Sequence, residues 1–247
     1  MTTHYIALVP AYATAAGLWF LISHFFKTLW NTEVTTEFKK PWLEFVYAII
    51  TVMMILGIGQ LYMRAMLIPN NGNNYFDALN QFLIFSPTII LIALRKQSTE
   101  TIWLPKSKIL LRISIGLVIA LSSLFIYWLI RKNAASYVNI LSNTYNPKNI
   151  SHLVQVFMED ITIALVFVRL SAWIGNKRTI GIVAFLFAAG HIPSLLSSGA
   201  SIVEISSLFI DIFIAVVILS AVSKSKDVWW FFMVHFALDM SQYYGGI

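Results

Sequence analysis

Ionisable side chains interrupt apolar runs in the second half of this sequence: Glu159, Asp160, Arg169, His191, Glu204, Asp211, His235 and Asp239. Each costs about 3 kcal/mol to hold at bilayer depth unless it is paired or put to use, so these residues are where chemistry is to be sought. His152, Gln155 and Glu159 are spaced by three and four, which sets them on one face of a helix as a polar stripe. Asp160 follows at once and points about 100° away from that stripe. His235 and Asp239 are four apart, neighbours on one face, with Gln242 continuing the line. A carboxylate so placed orients an imidazole and fixes its tautomer.

His191 follows the small-residue run Phe187-Ala188-Ala189-Gly190, which lets another helix come close, and Pro193 bends the chain beside it. One carboxylate and two imidazoles at a common depth suit two chemistries. Glu159 can serve as general base toward a water, a histidine sharing the proton and another polar group holding the oxyanion. Alternatively Glu159, His191 and His235 can bind a divalent metal such as zinc that supplies the nucleophile. Glu204, Ser207 and Asp211 form a further stripe, which either lines the same cavity or pairs with Arg169. His152, near the start of its helix, reads as an interfacial or gating histidine.

The elements that carry these groups must be membrane helices. Of 247 residues 58% are hydrophobic and 11% charged, and the mean hydropathy is +0.76, which excludes an ordinary soluble domain. Apolar runs lie at roughly 5–26, 43–69, 76–94, 109–130, 151–175, 179–199, 202–222 and 227–243. The sequence therefore predicts an all-α, polytopic integral membrane protein of about eight transmembrane helices around a polar intramembrane cavity. It is a single transmembrane domain, 1–247, whose motif-bearing core is 151–243. The third run is the weakest, because Asp77, Asn80, Gln81 and Pro87 suit a buried or broken helix. The first has small residues at Ala11, Ala13 and Ala15 like those of a signal peptide, but no Lys or Arg precedes them, and it is read as a membrane helix.

With no cysteine, thiol nucleophiles and disulfides are excluded. The net charge of +6 does not imply nucleic acid, since Lys and Arg cluster between the apolar runs. For eight spans, Lys27, Lys39, Lys40, Arg95, Lys96, Lys106, Lys108, Lys177, Arg178, Lys224 and Lys226 share one side, which puts both termini outside the cytoplasm.

Glu159-Asp160, Phe187 with His191, and His235 with Asp239 resemble, in order and spacing, the motifs EExxxR, FxxxH and HxxxN or HxxxD of the CPBP family of intramembrane proteases. That family includes the type II CAAX prenyl endopeptidases and proteins linked to bacteriocin processing and immunity. The resemblance covers roughly the last hundred residues. It implies that Glu159 and His191 activate the hydrolytic water, that His235 and Asp239 polarise the scissile carbonyl, and that Asp160 supports them. It implies no obligatory metal or other cofactor.

Two positions depart from the pattern: Asp160 replaces the second Glu, and the arginine of the first motif falls on Ala164. Arg169 lies ten residues beyond Glu159, about 15 Å along the axis. The expectation is an intramembrane endopeptidase acting on a membrane-associated, prenylated or bacteriocin-type peptide, with His152, Gln155, Glu204 and Asp211 lining its cavity. The alternative is a silent scaffold or immunity factor of the same family. Its setting is the lipid bilayer, the plasma membrane if bacterial.

Overall fold

A computed structural model describes residues 3–30, 37–69, 71–131, 136–190, 192, 199, 201–206 and 208–244. Their order is α1 Thr3–Phe25, α2 Lys27–Trp30, α3 Pro41–Met63, α4 Asn74–Leu94, α5 Ile109–Arg131, α6 Tyr137–Thr144, α7 Ile150–Ile174, α8 Asn176–Gly190, α9 Ile202–Ser206, α10 Leu208–Ser225 and α11 Val228–Tyr244. Single 3-10 turns occupy Thr99–Ile102 and Pro147–Asn149. Among the described residues there is no strand.

Local chemistry sets the helix ends. Pro41 opens α3, where its missing N–H costs nothing. The Asn73 side chain accepts from the Tyr75 N–H and caps α4. Gly175, at φ 86, ends α7 in a conformation that L side chains resist, and α8 begins at the next residue.

Five of the described helices are long and apolar enough to cross a bilayer: Ile6–Phe25 within α1, α3, α4, α5 and α10. The expected eight spans are not met, for physical reasons that differ by helix. The described part of α8 has 15 residues and α11 has 17, short of the ~20 needed for a full crossing. Helix α7, at 25 residues, is long enough, but it carries Glu159, Asp160 and Arg169 and packs against α3, α4, α8 and α11. The doubtful third run proves to be one unbroken helix, α4, Pro87 included. Its Asn80 side chain bonds both the N–H and the carbonyl of Ile68, and Tyr62 donates to Asp77. Phe82, Ile90 and Leu94 are exposed on it, as apolar side chains facing lipid should be.

The bundle closes where small residues let backbones meet. Ala7, Ala11 and Ala15, one turn apart on α1, are fully buried, and α1 packs on α5 and α10. Gly116 of α5 lies directly against α11: a β-carbon there would stand 2.5 Å from the Trp230 carbonyl oxygen. Trp19 stacks on Trp230 with ring centroids 5.8 Å apart, and so ties α1 to α11.

Two buried ionic networks brace one end of the bundle, where α3, α5 and α11 begin and α4 and α7 finish. Arg112 donates to Asp227 at 2.6 Å and to the Leu29 carbonyl, while the Trp30 indole N–H and the Trp229 backbone N–H also reach Asp227. Arg169 donates to Gln97 and to the carbonyl of Thr101, and lies 4.0 Å from Glu44. Arg169 thus serves the α3–α4–α7 contact, and Glu44 with Gln97, rather than the α10 stripe, supplies its polar partners.

Candidate functional site

Helices α7 and α11 meet along a line of paired acids and imidazoles. His235 Nδ1 lies 2.8 Å from Asp160 Oδ1, and His152 Nε2 is hydrogen-bonded to Asp239 Oδ2. Residue 152 pairs with 239 and 160 with 235, so the two helices run antiparallel and the pairs are two rungs between them. Between the rungs, Val156 packs with Phe236 and Met240 in a small apolar cluster.

That packing decides which face of α7 meets α11. The stripe is His152, Val156 and Asp160, one residue round from the expected His152, Gln155 and Glu159. Val156 is 1% exposed, and seating it on Phe236 carries Asp160 inward while Glu159 stays half-buried.

Two expected roles change as a result. The carboxylate that orients His235 is Asp160, from another helix, and not Asp239 one turn along its own. Asp239 instead engages His152, which is therefore part of the polar line and not only an interfacial group. Because Nδ1 of His235 is occupied by Asp160, its Nε2 is the nitrogen left for a substrate, a water or a proton. The other oxygen of Asp160 is buried without a hydrogen-bond partner. The His235 ring is held by Phe231, stacked at 5.6 Å, and by Phe187, edge-on at 6.4 Å.

Glu159 lies close enough to His235 to act on its charge, as does Asp239. The Tyr12 phenol of α1 lies within electrostatic range of Asp239, Asp160, Asp211 and Glu159 together. Tyr12 was not among the expected residues, although a tyrosine in mid-span of an otherwise apolar helix is a readable signal. Tyr145, between α6 and α7, lies over Phe236 with ring centroids 6.0 Å apart, and burial pushes its phenol above the ordinary range.

The structure thus gathers Glu159, Asp160, His235, Asp239 and His152, with Tyr12 and Asp211 within electrostatic range of one another and Tyr12 within that range of Glu159, Asp160 and Asp239. Gln155 is half-buried on α7, one residue from the stripe that meets α11. His191 and the side chain of Glu204 lie outside the described residues. In the sequence His191 is four residues beyond Phe187, whose ring lies 6.4 Å from that of His235, centroid to centroid. Among the described residues no three acid or histidine groups are placed to share a metal ion.

This arrangement can orient an imidazole, hold a carboxylate beside it and shield both from lipid. No family model matches the chain, nor does any curated protein or solved structure.

Proposed function

We propose that the protein is an intramembrane endopeptidase of the CPBP type, cleaving a membrane-associated peptide by a water that Glu159 and His191 activate. The observation that carries this reading is the His235–Asp160 pair with Glu159 at its side, two of the three motifs meeting inside the bundle. Asp160 fixes His235 so that Nε2 is left to act on a reacting carbonyl. Phe187, the first residue of the FxxxH motif, already lies against His235, which favours His191 joining the same site. The setting is the bilayer, the plasma membrane in a bacterium.

The test is cleavage of membrane-associated reporter peptides by the purified protein in lipid nanodiscs. Glu159→Ala and His191→Ala should each abolish turnover while the protein still inserts and keeps its melting temperature. Full activity in either variant removes the assignment.

One observation favours a second reading, a silent scaffold or immunity factor. Ala164, at the position of the first motif's arginine, is fully buried in the core, and Arg169 is committed to Glu44 and Gln97. If the Glu159→Ala, His191→Ala double variant restores the phenotype of a deletion strain, the scaffold reading replaces the enzyme.

A further inference from the structure

The two acid–imidazole pairs divide the bundle unequally. Asp160 stands ten residues, about 15 Å, from the start of α7 at Ile150, and fourteen residues, about 21 Å, from its finish at Ile174. The second pair, His152 with Asp239, lies on the short side of it, within the first turn of α7. The line of pairs therefore runs from mid-bundle to the end where α7 begins and α5 and α11 finish.

Access along that line is one-sided. Toward the α7 start the side chains keep some exposure: 12% for His235, 18% for His152 and 28% for Asp239. Helix α7 packs on α3, α4, α8 and α11, so its ionisable groups open into the bundle and not onto lipid. Toward the α7 finish, Ile161, Leu165 and Val234 are buried, and Trp230 stacks on Trp19 with its backbone against Gly116. The Trp229 ring adds a further plate, stacked on Phe157 at 5.3 Å, with its indole N–H donating to the Pro105 carbonyl at 3.0 Å. Apolar packing of this kind closes that half of α7 and α11 to water.

The cations say which end faces the cytoplasm. Lys39, Lys40, Arg95, Lys96, Lys177 and Arg178 stand at the closed end, whereas the open end holds, among the described residues, only Arg64, Arg131 and Lys148. This asymmetry belongs to the folded bundle and does not depend on how many helices count as full spans. We infer that the site is entered from the non-cytoplasmic face, and that its substrate is a peptide that has already crossed the bilayer and lies at the outer leaflet. The reaction that must supply such a substrate is translocation of the peptide chain. A peptide moored by a prenyl chain in the cytoplasmic leaflet meets the closed end. Hydrolysis rests on the peptidase reading above; the side of entry does not.

Two measurements test this. In intact cells Gln155→Cys, near the open end of α7, should react with an impermeant thiol reagent. Lys177→Cys should react only after permeabilisation, and Ala164→Cys, in the closed half, in neither state. Short fluorogenic peptides of mixed sequence carrying a palmitoyl anchor are then added to right-side-out and inside-out membrane vesicles. Right-side-out vesicles should cleave them and lose that activity with Glu159→Ala, while inside-out vesicles should stay at the Glu159→Ala background. Failure of Gln155→Cys to label from outside, labelling of Lys177→Cys in intact cells or of Ala164→Cys in either state, or cleavage by inside-out vesicles that Glu159→Ala abolishes, overturns the inference. The expected labelling with no cleavage in either kind of vesicle removes the peptidase reading and the substrate with it, and leaves the side of entry supported.

Discussion

Replacing Gly116 by alanine should damage both the stability of the bundle and the site, through one displaced helix. The added β-carbon would stand 2.5 Å from the Trp230 carbonyl oxygen and 2.6 Å from its α-carbon, where real contacts essentially never fall under 3.0 Å. Backbone cannot swing aside as a side chain does, so α5 and α11 must shift by about 0.5–0.9 Å to restore an ordinary contact. Helix α11 is held on its other flank by α7, so the shift is taken up as a slide or tilt. His235 lies five residues past Trp230 on the same helix, and its 2.8 Å bond to Asp160 would stretch to about 3.3–3.7 Å, at or beyond hydrogen-bond range.

Overpacking of this kind costs about 1–3 kcal/mol, or roughly 2–12 °C in melting temperature for a chain of this length. Thermal unfolding in detergent and peptide cleavage in nanodiscs are the paired assays. Gly57→Ala and Gly181→Ala are the controls, because a β-carbon at either meets nothing within 4 Å. If Gly116→Ala melts within about 1 °C of the unaltered protein while the controls behave alike, the close approach of α5 and α11 is wrong.

Asp160→Asn preserves shape but removes the charge that orients His235. It should slow cleavage by about 10²-fold or more, whereas a purely structural role predicts an unchanged rate once the protein is folded. Glu44→Gln leaves the buried Arg169 guanidinium without its carboxylate and should cost about 3–5 kcal/mol; a melt equal to that of the unaltered chain would show that Gln97 and the backbone carbonyls suffice. A cysteine at Ser151, unique in this cysteine-free chain, should react with an impermeant thiol reagent from outside intact cells. Labelling only after permeabilisation would reverse the orientation read from the loop charges.

Helix positions were largely legible, because lipid imposes long apolar runs whose edges Pro41, Asn73 and Gly175 mark chemically. The number of spans was less so. Hydropathy alone cannot tell a helix that faces lipid from one, like α7, that is wrapped by its neighbours. For the site, residue types and spacing found Glu159, Asp160, His235 and Asp239, but not who pairs with whom. Spacing rules compare residues on one helix, and they suggested His235 with Asp239. The actual pairs cross between helices 75 and 87 residues apart, and they depend on a register set by Val156 against Phe236. Tyr12 was missed for the same reason, since nothing local links the first span to the last.

The buried Arg112–Asp227 contact also has a bearing on how the chain is made. Its partners are separated by 115 residues, so at 5–20 residues per second a ribosome needs roughly 6–23 s after emitting the arginine to supply the aspartate. Until then a guanidinium at the start of α5 has no counter-charge from α11, and it must wait in water at the membrane surface. Biogenesis therefore has a late locking step: α5 seats fully only when the last hairpin arrives, and truncation before Asp227 should yield a product open to quality-control proteases.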